Sequence, residues 1–229
     1  MRGNLQSMVS CVIPVFNGEK YLAEAIVSVL AQTHSSLEVI VVDDGSTDGS
    51  ADVARDFSDR GVRLLSQNNA GGASARNLGI AAASGDYVAL LDADDLWLPD
   101  KLERQLVVFD GRPLLGACMT YMQNFWEPEY ADEALQNPRL GEPQPGVASC
   151  FMARRVMFDE IGLLDRAIAH RDIQEWIIRA KQAGWQVQIM PDVLVNRRIH
   201  GENESRRRLT GESELLDMAS KLIMRKRSS

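Results

Sequence analysis

The stretch YVALLDADDLW, residues 87–97, runs five mostly apolar residues into Asp92, Asp94 and Asp95. Like charges this close repel one another, so their clustering at the end of an apolar run implies that something positive sits there. Asp92 and Asp94 stand one residue apart. At a strand end both side chains can turn toward one hard cation, and a divalent ion would offset their repulsion. Short acidic triplets also arise by chance, so the pair gains weight only from what the fold brings beside it. Two more polar clusters follow apolar runs: PVFNG (Pro14 to Gly18) and DDGSTD (Asp43 to Asp48). Taken singly, Asn17 with Gly18 reads as a helix cap and turn, and DDGS is a common turn formula.

These clusters need elements to position them, and the first half of the chain supplies a repeating order. MVSCVIPVF (8–16) reads as a buried strand, and NGEKYLAEAIVSVLAQT follows with Tyr21, Leu22, Ala25, Ile26, Val29 and Leu30 at helical spacing, capped by Asn17. LEVIVVDD (37–44) is a second strand, followed by a turn and helix; VRLLS (62–66) is a third. GASARNLGIAAASG is helical, DYVALLD (86–92) is a fourth strand, and Pro99 opens a further helix. Strands alternating with helices predict an α/β fold with a mostly parallel sheet wrapped on both faces. Ligands of such sheets bind at the carboxyl ends of the strands, where all three polar clusters fall.

The second half is less regular. Residues 124–146 hold four of the eight prolines and read as a long loop, with Trp126 and Tyr130 as candidates for a lid. A strand and short helix follow, then a helix ending at Gly184, two short strands (WQVQIMP and VLVNRRI) and a terminal helix.

Composition narrows the classes. The 229 residues, 45% hydrophobic, suffice for a sizeable core, and a net charge of −7 argues against a general nucleic-acid binder. Arg206, Arg207, Arg208, Lys221, Arg225, Lys226 and Arg227 make the C-terminus locally basic. That is a solvated helix face, or a contact with an anionic membrane surface. Cys11, Cys118 and Cys150 form no CxxC pair, which fits packing cysteines in a reduced, intracellular setting. No apolar run is long enough to span a bilayer and no signal-peptide pattern is present, so a cytoplasmic protein, soluble or peripheral at the inner membrane face, is expected. A dinucleotide oxidoreductase would carry GxGxxG after its first strand, where this chain has VFNGEK. NNAGGASARNLG has glycines but follows the third strand and lacks the Lys-Ser/Thr ending of a phosphate loop.

Five ordered blocks carry a resemblance: residues 9–50, NNAGGASARNLGIAAASGDYVALLDADDLWLPDKLERQ, RRVMFDEIGLLD, EWIIRAKQAG and RRIHGENES. Together they resemble the family 2 inverting glycosyltransferases of the GT-A fold, most weakly over 112–146 and after 208. The resemblance implies a donor-binding half, residues 1–110, and an acceptor-facing half, 111–229, in one continuous domain. It also implies transfer of a sugar from a nucleotide-sugar, expected to be a UDP-sugar, to an acceptor hydroxyl, with a polysaccharide or lipid-linked acceptor. Pro14, Val15, Phe16 and Asn17 with Asp43 would hold the nucleotide base, while Asp44 and Ser46 shape the turn. Asp92 and the adjoining Ala93 would meet the ribose or the metal, and Arg76 would hold a phosphate, brace Asp92, or only pack. Asp94 would ligate Mn2+ or Mg2+. His200, in an RxHxxN pattern, would add an imidazole to the same cation or a donor to the diphosphate, with Asn203, Ser205 and Arg197 or Arg198 nearby.

Inversion needs a carboxylate base near the acceptor hydroxyl. Family members carry it in a Glu-Asp pair before a helix aromatic, and here HRDIQEWIIRA breaks that pair. The usual Asp position falls on Ile173 and the usual Glu position on Asp172. A one-residue shift restores Asp172, and Glu175, three residues on, shares its helix face. Either is a candidate base. A chain that kept the donor site and lost its base would instead be a nucleotide-sugar-binding module.

Overall fold

The structure is a computed structural model, and it describes residues 6–136, 138–168 and 171–203. Three β/α repeats and a fourth strand open the chain: β1 (Val9–Val15), α1 (Glu19–Leu30), β2 (Leu37–Asp43), α2 (Ser50–Arg55), β3 (Val62–Ser66), α3 (Gly72–Ala82) and β4 (Tyr87–Leu90). Then come β5 (Leu96–Trp97), α4 (Lys101–Phe109), β6 (Leu115–Trp126), α5 (Ala131–Gln136), β7 (Gln144–Pro145), β8 (Met152–Arg154), α6 (Val156–Ile161), α7 (Asp172–Gln182) and β9 (Gln186–Ile199).

One mixed sheet takes in strands from both halves of the chain, in the order β3-β2-β1-β4-β8-β6-β9-β5, with β7 on β6. The strands β1 to β4 are parallel, with Cys11 of β1 opposite Val39 on one side and Ala89 on the other. β8 enters antiparallel to β4 and β6, and β6 runs parallel to β9. Because successive strand residues face opposite ways, β1 feeds two apolar layers. Cys11 and Ile13 pack with Leu22, Ile26 and Val29 of α1. Val12 joins Ile40, Val42 and Ile80, in a layer that extends to Trp176 of α7. The helix α3 lies flat on β1 because position 79 lacks a side chain: a Cβ on Gly79 would stand 2.3 Å from Val12 Cγ1.

Three local expectations change. Asn17 does not cap α1: the N-cap is Gly18, with no side-chain cap bond. Asn17 takes φ 51° and turns its amide toward the β2–α2 turn. The predicted loop over 124–146 is structured, since β6 continues through Trp126 and is followed by a 3-10 turn (Pro128–Tyr130), α5, a second 3-10 turn (Pro138–Gly141) and β7. Prolines at the first residue of a turn or on an edge strand give up no needed N–H, so their density does not preclude order. The two short strands expected near the C-terminus form one strand, β9. Its register against β6 jumps from Met119↔Ile189 to Tyr121↔Val193, so the segment around Pro191 bulges where proline cannot donate to the ladder. The basic C-terminal stretch and the terminal helix expected there lie outside the described residues.

Candidate active site

The ends of β1 and β2 are stitched together. Asp44 N–H donates to Val15 O at 2.8 Å, Asn17 N–H to Ser46 Oγ at 2.9 Å and Thr47 N–H to Asn17 Oδ1 at 2.8 Å. The stitching continues one turn on, where Gly18 N–H donates to Ser50 Oγ at 2.9 Å. The latch holds Pro14 to Asn17 as a fixed rim, with the Phe16 ring 51% exposed at its lip. Beneath it the two acids of DDGS divide their work. Asp43 accepts Ser46 N–H at 3.0 Å. Asp44 accepts Gln67 Nε2, Ala70 N–H and Gly71 N–H at 2.6, 2.9 and 2.8 Å, so both its oxygens brace the segment that leads into α3.

The three carboxylates after β4 divide likewise. Asp95 turns inward, accepting Ser149 Oγ–H at 2.6 Å and Arg198 N–H at 3.1 Å. Burial, and then the charges of Asp94 and Asp92, push its carboxyl well above the usual range. Asp92 and Asp94 remain partly open, with side chains 36% and 30% exposed. Asp92 accepts Arg76 Nη2–H at 2.8 Å, and its N–H donates to Ser149 Oγ. Asp94 Oδ2 meets His200 Nε2 at 3.0 Å and Asn203 Nδ2 at 3.1 Å.

A carboxylate beside an imidazole is a donor set that suits Mn2+, and the carboxylate alone suits Mg2+. Among the described residues no three His, Cys, Asp or Glu side chains form a cage, so a cation here would draw its remaining oxygens from a ligand. On these donors, the site fits the expected group.

Arg198 holds this corner together. It lies between the rings of Tyr21 and Phe125 at 4.8 and 4.6 Å, donates to Asp94 O at 3.1 Å, and pairs with Glu127 at 2.7 Å and Glu24 at 2.8 Å. Its guanidinium is thus held by one backbone carbonyl and two carboxylates between two rings. Neither Ser149 nor Glu127 carries a sequence signal for its place here. A serine in VASC and a glutamate in WEPEY acquire their roles only through β8 and β6.

The two candidate bases part company. Asp172, the first residue of α7, accepts Arg76 Nη1–H at 3.0 Å. Glu175 is only 1% exposed, and both its oxygens accept Arg179 Nε–H at 3.0 Å. Arg179 in turn donates to Ile161 O and Leu163 O, so this pair clamps α7 to the end of α6. Both candidates thus sit in ion pairs, Asp172 with Arg76 and Glu175 with Arg179.

Two cavities open nearby. One of about 260 Å³ lies beside His200, lined by Lys20, Tyr21, Glu127, Tyr130 and Glu202. A larger cleft of about 980 Å³ runs between α3 and the segment after α6, past Gln67, Ser74, Asn77 and Arg166, and none of the expected site residues lines it. The expected site residues thus gather at the strand ends and not around the larger cleft. No helix among the described residues is long and apolar enough to cross a membrane.

A relative from Nostoc sp. described as an uncharacterized glycosyltransferase is 34% identical over 222 residues, covering 90% of this chain and 69% of its own. Glycosyltransferase GlyG of Streptococcus pneumoniae is 41% identical over 156 residues, covering 60% of this chain and 52% of its own. Among solved structures, a mannosyltransferase from Pyrobaculum calidifontis in complex with GDP-Man and Mn2+ superposes with a TM-score of 0.73 at 21% identity, over 95% of this chain and 64% of that one. TarS of S. aureus in complex with UDP superposes at 0.67 and 19% identity, over 84% of this chain and 60% of that one. The chain thus spans roughly two thirds of these proteins' length or less. Residues 10–162 match the model of the family described as Glycosyl transferase family 2. With that match over more than half of its 229 residues and a GT-A arrangement of strands, the chain belongs to the family 2 glycosyltransferases.

Proposed function

We propose that this protein transfers a sugar from a UDP-sugar to an acceptor hydroxyl with inversion at the anomeric carbon. The observation that carries the reading is the position of Arg76, whose guanidinium contacts both Asp92 and Asp172. The donor-side acid and a carboxylate at a helix start thus lie within the span of one side chain. An inverting displacement needs a base and a leaving group this near each other, with the sugar between them.

In this reading Phe16 offers its exposed ring to the nucleobase, and Asp43 accepts a base N–H. Asp92 takes a ribose hydroxyl. Asp94 and His200 would hold Mn2+ or Mg2+. Such an ion supplies Lewis-acid neutralisation of the charge that builds on the departing diphosphate. Asp172 removes the proton of the acceptor hydroxyl as its oxygen attacks in line with the leaving group, and Glu175 holds the helix that presents it. A lipid-linked or polysaccharide hydroxyl is the acceptor class, met at the cytoplasmic side of a membrane. The mannosyltransferase with GDP-Man and Mn2+ and the UDP complex of TarS support a nucleotide-linked donor and a cation.

A thermal-shift panel of UDP, GDP and their sugars, with and without Mn2+, tests the donor, because ligand that binds the native state raises its stability by mass action. UDP or a UDP-sugar with Mn2+ should raise the melting temperature most. Stabilisation by none of them would overturn the reading.

A further inference from the structure

Arg76 sits on α3, 16 residues before Asp92 and 96 before Asp172, and joins the two carboxylates. Its side chain is only 14% exposed, and Asp172 is more enclosed still at 4%. Burial works against the guanidinium's charge, and the two carboxylates more than offset it, so Arg76 stays protonated. Backbone geometry keeps the space clear: a Cβ on Gly72 would already stand 3.3 Å from Arg76 Nη1. The planar fork uses one terminal nitrogen for each acid, a geometry that a flexible ammonium does not reproduce. Its Nε–H is buried and meets no acceptor among the described residues. A buried donor left unmatched in this way costs stability. It is tolerated where the other two contacts matter.

We propose that Arg76 is the positioning residue of the reaction, fixing the Asp172 carboxylate against the donor side by sharing one guanidinium between Asp172 and Asp92. This rests on the functional reading above, which makes Asp172 the base. Arg76 does not touch the reacting atoms; it sets where the base stands relative to the acid that meets the donor. A donor-binding arginine would act on KM. A positioning arginine acts on kcat, because displacing a base by about an ångström costs on the order of a hundredfold in rate.

Two measurements decide it. The first is donor hydrolysis, followed as nucleoside diphosphate release from the UDP-sugar that binds, with Mn2+ present. Arg76→Met should lower kcat at least thirtyfold with KM for the donor changed less than threefold, and Arg76→Lys should recover only part of the loss. A raised KM at unchanged kcat would overturn the proposal. The second needs no turnover: a urea-denaturation cycle of wild type, Arg76→Met, Asp172→Asn and the double variant. The double variant should be clearly more stable than the sum of the single losses predicts, and additive losses would overturn the proposal. Should Arg76→Met fail to fold, Arg76→Gln takes its place in both. If the wild type releases no diphosphate from any donor, the functional reading fails by itself, while the cycle still decides whether Arg76 and Asp172 act as one unit.

Discussion

His200 Nε2 lies 3.0 Å from Asp94 Oδ2 although the two residues are 106 apart in sequence. Asn203 shares the same oxygen, and its own Oδ1 accepts His200 N–H, so the turn after β9 is folded onto the acid after β4. His200 is 6% exposed and its ring packs on Tyr21 at 4.5 Å, which is not the setting of a surface histidine. His200→Ala should lower turnover at least tenfold, about 1.4 kcal/mol of transition-state stabilisation. Saturating Mn2+ should recover much of the loss. Wild-type kinetics at limiting Mn2+ would contradict the role.

Asp43 and Asp44 are neighbours with separable effects. Asp43→Ala should weaken UDP affinity, read by calorimetry, and leave the melting temperature nearly unchanged. Asp44→Ala removes an acceptor of three hydrogen bonds and should cost about 2–4 kcal/mol of stability. Unchanged UDP affinity in Asp43→Ala would reduce that residue to a turn former.

Asp172→Asn should abolish turnover in a protein that folds normally. Glu175→Ala breaks a buried ion pair and should cost about 3 kcal/mol of stability while the folded fraction keeps its kcat. The reverse pattern, a stable but inactive Glu175→Ala beside an active Asp172→Asn, would exchange their roles.

These contrasts mark how far the sequence could be read. The parallel half was legible because β1, β2 and β4 are buried on both faces and each polar cluster follows one of them, so PVFNG, DDGS and DADD had only one edge to share. The roles within each cluster were not. Nothing local distinguishes Asp95, bonded to Ser149, from Asp94, bonded to His200, because both partners come from segments far along the chain. Asp172 and Glu175 look equivalent on a helical wheel, and only the fold shows that one meets Arg76 and the other Arg179. Prolines disguised the 124–146 segment for the opposite reason: a local signal was present, but it marks turn starts as well as loops.

Lys101 is a fully buried cation, donating to Gln105 at 2.7 Å and lying 4.0 Å above the Trp97 ring. Burial depresses its pKa from 10.5 to about 8, so between these values the unfolded chain holds more protons than the native one and stability rises with pH. The full shift is worth roughly 3 kcal/mol. The buried thiols run the other way: burial raises Cys11 and Cys118 to about 12 and Cys150 to about 11 from 9.0, so above pH 9 stability falls. Urea midpoints should therefore rise from about pH 8 and turn down above about pH 9, where three thiols outweigh one ammonium. Lys101→Met should lose the rise and keep the drop; identical slopes below pH 9 in both proteins would refute this account of Lys101.

The central claim is that the site at the strand ends both binds a nucleotide-sugar and breaks its bond to the diphosphate. Release of nucleoside diphosphate from a panel of UDP- and GDP-sugars with Mn2+, in wild type, Asp94→Asn and Asp172→Asn, tests it most directly. The account predicts release from a UDP-sugar by the wild type, abolished by either substitution and by EDTA, with Asp172→Asn still binding the donor. Donor binding without release by the wild type, or undiminished release by Asp172→Asn, would contradict it.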